Sequence, residues 1–152
     1  IASDKYGILF QNRGAGFTLE EGHANEANGG KRPMHTIIPA MIKQNGRVTM
    51  SFGVMGGQYQ STGHARMVTN MADYGLGPQE MIDAPRCFSE YGNMKVETGY
   101  ADSVRQELAD LGHDVSTPHV GIGGAQAIRI DPDSGVLEGG SDPRKDGIAL
   151  GY

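Results

Sequence analysis

The stretch TIIPAMIKQNGRVTMSFGVMGG, Thr36 to Gly57, decides the fold, because it holds two apolar segments joined by the dipeptide Asn45-Gly46. An Asn-Gly pair between two such segments is a strong signal for a two-residue β-hairpin loop. We therefore predict a β-hairpin over Thr36 to Phe52, with Pro39 at a bulge or on an edge strand. Gly53 to Gly57 should end the second strand and lead into the next element.

Downstream of this hairpin, the spacing of apolar residues predicts helices alternating with strand pairs. The predicted elements are a helix within Ser61 to Leu76, a short helix from Pro78 to Ile82 closed by Pro85, a hairpin over Arg86 to Glu97 turned at Gly92-Asn93, an amphipathic helix from Ala101 to Leu111 followed by Gly112, and a hairpin over Ala125 to Gly139 turned at Asp131 to Gly135. Antiparallel strands with helices packed on their faces indicate an α+β fold.

The residues upstream of the hairpin show little regular spacing of apolar side chains. Ile1 to Phe10 contains one short predicted strand, YGILF. Gln11 to Gly30 is polar, rich in Gly and Asn, and without periodicity, so we predict a long loop, which in a compact domain is usually functional or disordered. The 24 glycines of the chain cluster in doublets without a fixed period. This excludes collagen-like and simple repeat arrays and favours loops shaped around a ligand.

Length, net charge and cysteine content narrow the classes of protein to which the chain can belong. A chain of 152 residues is long enough for one domain and short for two. The net charge of −5 and the absence of a Lys/Arg cluster argue against a nucleic-acid partner. No run approaches the roughly 18 apolar residues that a membrane-spanning helix needs. Cys87 is the only cysteine, so it forms no internal disulfide and leaves the compartment open, and beside Phe88 it is more typical of a small core residue than of a nucleophile.

Motifs for metals, cofactors and familiar nucleophiles are missing from the sequence. The five histidines show no HxxxH or HxH spacing, so we predict no zinc site. Asp131 to Gly135 lacks the Glu at position twelve of a calcium loop and fits a hairpin turn better. Gly121 to Gly124 lacks the register of a dinucleotide site, and no G-x-S-x-G elbow is present. We therefore expect neither a metal nor a cofactor, and the pattern alone identifies no nucleophile.

The Gly56-Gly57 pair is the most suggestive local feature. Two successive backbone N–H groups without side chains, close to a helix N-terminus that favours negative charge, suit an oxyanion hole for acyl transfer. A plain strand-to-helix turn is the alternative, and the doublet by itself does not exclude it.

Several segments together resemble, in order and spacing over essentially the whole chain, the small C-terminal subunit of γ-glutamyltransferases and the related cephalosporin acylases. They are Gly29 to Pro33, Gly56-Gly57, Asp73 to Leu76, Ala84 to Arg86, Gly124 to Ile128, Gly140 to Gly147 and Gly151-Tyr152. The resemblance implies an N-terminal-nucleophile hydrolase, an αββα sandwich of antiparallel sheets flanked by helices. It also implies a precursor that cleaves itself to expose an N-terminal Thr, whose own α-amine serves as the base.

Under this resemblance, residues 1–152 are expected to form a single C-terminal portion of the catalytic domain. The family's Thr precedes the YGILF-like strand, so we expect the nucleophile upstream of Ile1 and the fragment alone to be inactive. The implied partners are the upstream, large-subunit segment of the same precursor and a small-molecule amide substrate. A homodimer is a further expectation, because a strand-rich fragment exposes sheet edges. A non-catalytic scaffold or partner-binding module derived from the fold is the alternative interpretation of the chain.

Site residues can be carried over only where the motifs match. Gly56 and Gly57 match the family's oxyanion-hole pair. Gly16 stands where transpeptidases have an Asp that binds the donor's α-amino group, and Arg13 replaces a polar amide of the same segment. His35-Thr36 matches a Ser-Ser pair that holds the donor's α-carboxylate. These changes imply altered acyl specificity, with Arg13 suited to a carboxylate or other anionic group, unless Arg13 simply points into solvent.

Overall fold

The computed structural model describes residues 1–151, which fall into two units, the first Ile1–Thr36 and the second beginning at Ile37. Tyr152, the last residue of the closing Gly-Tyr pair, lies outside the described residues.

The first unit holds two very short strands and a long structured loop. Strands β1 (Ala2–Ser3) and β2 (Ile8–Leu9) pair antiparallel. The expectation of a single YGILF strand is wrong, because Gly7 adopts φ +62° and turns the chain so that Ile8–Leu9 folds back on Ala2–Ser3. The predicted loop after Phe10 is confirmed, although it contains a 3₁₀ helix at Arg13–Gly16.

The second unit contains two sheets and three helices. In chain order they are β3 (Ala40–Gln44), β4 (Arg47–Met55), α1 (Tyr59–Ala72), α2 (Pro78–Asp83), β5 (Cys87–Glu90), β6 (Asn93–Val96), α3 (Asp102–Asp110), β7 (Asp114–Ser116), β8 (Gly124–Ile130) and β9 (Leu137–Ser141), followed by a 3₁₀ turn at Pro143–Lys145. The predicted helices and hairpins are confirmed with shifted ends. Antiparallel strands dominate, as expected, and β6–β7 is a parallel pair.

The main sheet is antiparallel, with the strand order β3-β4-β8-β9. Asn45 and Gly46 join β3 to β4 with φ of +51° and +79°, the left-handed values that an Asn-Gly hairpin loop requires. The register shifts between Ile42 and Lys43, whose partners are Met50 and Val48, so Thr49 of β4 is the extra residue of a bulge opposite the edge strand β3. Pro39 lies just before this strand, where its missing N–H leaves the ladder intact.

The core lies between the main sheet and helices α1 and α2. One sheet face contributes the buried residues Met50, Phe52, Val54, Ala125 and Ala127, and the helices contribute Tyr59, Met67, Met81 and Ile82. Burying a large apolar side chain of this kind contributes about 1.5–3 kcal/mol. This packing fixes the end of β4 against the start of α1.

The opposite face of the main sheet is apolar and exposed. Met41, Met55 and Ile128 alternate with the core residues of their strands and are 70%, 55% and 46% exposed. Over β9 the C-terminal segment covers this face, because the α-carbons of Gly147 and Gly139 lie close to Ser141 Oγ and Ala149 Cβ respectively. Within the described residues of the second unit, the remainder of this face is uncovered.

The second sheet has the order β5-β6-β7. Its hairpin turns at Tyr91-Gly92, with φ of +52° and +83°, and not at the predicted Gly92-Asn93. The reason is that Asn93 already belongs to β6 and pairs with Glu90. Strand β7 was not predicted, because its three residues are too few to show an alternating pattern.

Candidate active site

The connection from β4 to α1 is a sharp turn made by Gly56 and Gly57. Their φ angles are +135° and +60°, values that residues with side chains rarely adopt. Their carbonyl groups accept hydrogen bonds from the N–H groups of Tyr59 and Gln60, both at 3.2 Å. Their own N–H groups donate to no acceptor within the described part of the second unit, and both glycines are exposed. The turn therefore presents two adjacent unused donors beside a helix N-terminus.

Gly123 forms the support beneath this turn. A Cβ on Gly56 would lie 2.8 Å from Gly123 Cα. A Cβ on Gly123 would lie 2.5 Å from the Met55 carbonyl oxygen and 2.6 Å from Tyr59 Cδ1. Gly123 also has φ +62°, so both its conformation and its close contacts exclude a side chain. The Gly56-Gly57 turn and the segment before β8 are thus in direct backbone contact.

Tyr59 fills the space between the turn and the second sheet. Its ring is 3% exposed and meets Phe88 edge-on at 5.5 Å, and the Arg86 guanidinium lies 6.0 Å from its centroid. Gly63 on α1 leaves room for the ring, since a Cβ there would come within 2.8 Å of Tyr59 Cε1. Burial raises the pKa of Tyr59 to about 12, so the phenol remains neutral beside the turn.

A buried ion pair holds both sides of Gly123. Arg86 Nη2 lies 2.5 Å from Asp142 Oδ2, and the two side chains are 4% and 0% exposed. Arg86 Nη1 donates to the Ile122 carbonyl at 2.8 Å, and Asp142 Oδ2 accepts from the Ala125 N–H at 2.7 Å. Burial opposes ionisation of Asp142, but the Arg144 N–H and the Arg86 guanidinium outweigh it and lower the carboxyl's pKa.

A second pair, Glu97 with Arg144, completes the network. Arg144 donates to Glu97 from Nη2 at 2.7 Å and from Nε at 3.0 Å, a two-point contact typical of arginine with a carboxylate. Glu97 also accepts from the N–H groups of Ile122 at 2.8 Å and Arg86 at 2.9 Å. Burial opposes ionisation of Glu97 too, and these donors, led by Arg144, lower its pKa. The network therefore fixes the backbone on which the Gly56-Gly57 turn rests.

This network gives a physical role to two of the quoted sequence segments. Arg86 belongs to Ala84 to Arg86, and Asp142 and Arg144 belong to Gly140 to Gly147. Glu97 was not singled out from the sequence, because nothing in its local pattern distinguishes it from a surface carboxylate at a strand end.

The substrate-side residues expected from the resemblance lie in the first unit. Gly16 packs against the carbonyl oxygen of Met34, which a Cβ on Gly16 would approach to 2.7 Å. The structure therefore brings Gly16 next to the segment that carries His35 and Thr36. Arg13 starts the 3₁₀ helix three residues before Gly16. It is half-buried, and its guanidinium has no hydrogen bond or ion pair within the first unit.

Other kinds of site are not formed by the described residues. Residues 1–151 contain no group of three or more His, Cys, Asp or Glu side chains placed to hold a metal ion. Leaving Thr36 aside, no Ser, Thr or Cys side chain hydrogen-bonds to a histidine within the described residues of either unit. No helix described here has the length and apolar character to cross a membrane.

Comparison with known proteins finds a matching family and several similar proteins. The family model described as Gamma-glutamyltranspeptidase matches residues 1–152. A glutathione hydrolase-like proenzyme of Bacillus subtilis is 40% identical over 99% of this chain and 30% of its own length. The oxamate amidohydrolase proenzyme of Klebsiella pneumoniae is 37% identical over 96% of this chain and 29% of its own length.

The structural comparison agrees. The crystal structure of cephalosporin acylase from Bacillus halodurans superposes with a TM-score of 0.86 and 39% identity, covering 96% of this chain and 28% of that one. It confirms the expected fold class, the C-terminal part of an N-terminal-nucleophile hydrolase with antiparallel sheets flanked by helices. The chain spans about 30% of the length of the curated relatives it matches.

Proposed function

Because the chain belongs to the γ-glutamyltranspeptidase family, we propose that it is the C-terminal part of an enzyme that hydrolyses amides or transfers their acyl groups. In this proposal the nucleophile is a Thr at the N-terminus of a processed subunit, encoded upstream of Ile1. Two facts support it: the similar curated proteins are described as proenzymes, and the chain spans about 30% of their length. The upstream, large-subunit segment of the same precursor is then the principal partner.

The observation that carries the proposal is the Gly56-Gly57 turn. Attack of a hydroxyl on an amide carbonyl leaves a negative charge on the carbonyl oxygen, and two unused backbone N–H groups can stabilise that charge. Such donors act best when they are already oriented before the reaction. Gly123 and the ion pairs of Arg86 and Glu97 supply this rigidity, so the turn suits an oxyanion hole better than an ordinary connection.

The substrate side of the proposal concerns Arg13, Gly16, His35 and Thr36. A glutamyl donor carries an α-ammonium group, and Gly16 offers it no carboxylate partner in a pocket where an unpaired charge is costly. Arg13 has a guanidinium without a partner in the first unit and suits an anionic group on the acyl chain. The similar proteins include an oxamate amidohydrolase and a cephalosporin acylase, and these names support the proposal that the acyl donor is not a glutamyl amide. We therefore propose that acyl specificity differs from that of γ-glutamyl transpeptidases.

The test is to express the complete gene and follow its maturation and activity together. Intact mass and N-terminal sequencing should show a cleaved precursor whose C-terminal subunit begins with Thr and includes residues 1–152. The mature protein should release amine from a panel of glutaryl, oxamyl and γ-glutamyl amides. An uncleaved protein without turnover on any of them would overturn the proposal and favour the non-catalytic scaffold.

A further inference from the structure

We propose that Asn25 is a positioning residue that sets the distance between the two substrate-binding segments, Arg13–Gly16 and Met34–Thr36. This inference rests on the proposed function, because it assumes that these segments contact the acyl donor. It assigns a role to a residue in the long polar loop to which the sequence pattern gives no function.

The Asn25 side chain bridges the two segments directly. Its Nδ2 donates to the Gly16 carbonyl oxygen, and its Oδ1 accepts from the Met34 N–H at 3.0 Å. A carbonyl partner on one side and an N–H partner on the other fix the orientation of the amide, because only one arrangement satisfies both. The carboxamide thus links the residue at the substituted Asp position to the residue before His35-Thr36.

The main chain of Asn25 is itself held in place, so the bridge has a fixed base. The Asn25 carbonyl accepts from the Thr18 N–H at 3.0 Å, and the Thr18 carbonyl accepts from the Ala27 N–H at 2.9 Å. The Asn25 N–H donates to His23 Nδ1 at 3.0 Å. These bonds hold Asn25 beside the chain that leaves Gly16.

The bridge also explains how Gly16 and Met34 stay in close contact. The Gly16 α-carbon lies so near the Met34 carbonyl oxygen that a Cβ would approach it to 2.7 Å. No hydrogen bond joins these two residues directly within the first unit. Asn25 supplies the hydrogen bonds that this contact lacks. Removing the carboxamide should let the two segments separate and change how both meet a substrate.

The test compares Asn25→Ala and Asn25→Asp in the complete, matured enzyme. Asn25→Ala removes both bonds, so KM for the best acyl donor should rise about tenfold or more, as expected for two lost hydrogen bonds, with kcat changed less. Asn25→Asp keeps an acceptor for the Met34 N–H but places a carboxylate oxygen against the Gly16 carbonyl, and KM should rise here too. Asn28→Ala is the matched control, because Asn28 Oδ1 accepts only from the adjacent Gly29 N–H.

Hydrogen exchange at the Met34 amide gives a second readout. Exchange should become faster in Asn25→Ala, remain slow in Asn25→Asp, and remain slow in Asn28→Ala. If Asn25→Ala does not mature, Asn25→Asp still tests the inference alone. A raised KM with slow Met34 exchange supports it, and an unchanged KM overturns it.

Two results would overturn the inference while the proposed function stands. One is an Asn25 variant whose KM stays within about twofold of wild type. The other is a loss of kcat at constant KM, which indicates lost transition-state stabilisation or a smaller fraction of active enzyme and not weaker binding of the donor. A wild-type enzyme without amide turnover would overturn the proposed function and this inference together. Faster Met34 exchange in Asn25→Ala would then still show that the bridge exists.

Discussion

Gly56 lies directly against Gly123, so that a Cβ on the first would come within 2.8 Å of the α-carbon of the second. The turn that ends β4 therefore cannot move without the segment that begins β8. That segment is in turn fixed by Arg86 and Asp142 through the backbone of Ile122 and Ala125. The buried ion pairs therefore hold the candidate oxyanion hole in place through the backbone around Gly123.

The two glycines of the turn should respond differently to alanine. Gly57→Ala meets no atom within 4 Å, and its φ of +60° costs alanine roughly 1–2 kcal/mol. Relief of that strain should rotate the N–H away from the oxyanion, so kcat should fall by about 10²–10³, the usual cost of one lost donor. Gly56→Ala clashes with backbone at Gly123 and should mainly destabilise the fold. Thermal unfolding and steady-state kinetics on both variants in the mature enzyme separate the effects, and an unchanged kcat in folded Gly57→Ala removes the turn from the mechanism.

Acid should weaken the second unit through Asp142 and Glu97. Folding lowers the pKa of both carboxyls, so their stabilisation is complete above their unfolded values of about 4 and is lost as pH falls through the lower folded values. Asp142→Asn leaves Arg86 buried without a charged partner, which typically costs about 3–5 kcal/mol. Urea unfolding from pH 7 to pH 2.5 should show lower stability for the variant at pH 7 and a shallower decline in acid. If the stabilities of wild type and variant fell in parallel as the pH is lowered, Asp142 would not be a source of the acid sensitivity. Glu97→Gln, at a less buried carboxyl, is a milder second variant.

The parts of the fold that follow local rules could be predicted from the sequence. Asn45-Gly46 determines its hairpin because two left-handed residues match the twist of the strands. Helix α1 follows from apolar spacing, and Gly112, at φ +93°, follows α3 as a C-terminal glycine should.

The ion-pair network could not be predicted in the same way. Arg86 and Asp142 are 56 residues apart, and Glu97 and Arg144 are 47 apart, so no local pattern connects the partners. The contacts of Asn25 could not be predicted from the sequence for a related reason. A single Asn in a polar loop has no sequence signature, and its function follows only from what its amide contacts.

The isolated chain should have no amide-cleaving activity. Leaving Thr36 aside, no Ser, Thr or Cys described within either unit has a histidine partner to activate it, and the proposed nucleophile lies upstream. Purified residues 1–152 should release no amine from γ-glutamyl or simple acyl anilides, while the mature enzyme does so under the same conditions. Turnover that persists through repurification would show that a nucleophile exists within the chain.

The isolated chain should self-associate through the open face of its main sheet. Met41, Met55 and Ile128 form an exposed apolar face on neighbouring strands of the main sheet, and β3 is an edge strand of that sheet. Light scattering should show a dimer or larger species as concentration rises, and Met41→Lys should shift it toward monomer. Leu111→Lys is the control, because this exposed residue follows α3 and belongs to neither sheet. A monomer at high concentration for the unmodified chain would contradict the expectation.

The mature enzyme should prefer glutaryl amides to the matching glutamyl amides, which differ only in the α-amino group. That group needs a charged partner, and a missing charge-assisted hydrogen bond costs about 1.5–3 kcal/mol, or ten- to two-hundred-fold in affinity. Gly16→Asp should raise the glutamyl-to-glutaryl ratio of kcat/KM at least about tenfold over Gly16→Ala, the control for crowding against Met34. Absolute rates should fall in both variants, because either Cβ forces the Met34 carbonyl to move. A wild-type enzyme that strongly prefers the glutamyl amide would show that another carboxylate binds the amine, and the exposed Glu20 and Glu21 would then be the residues to replace.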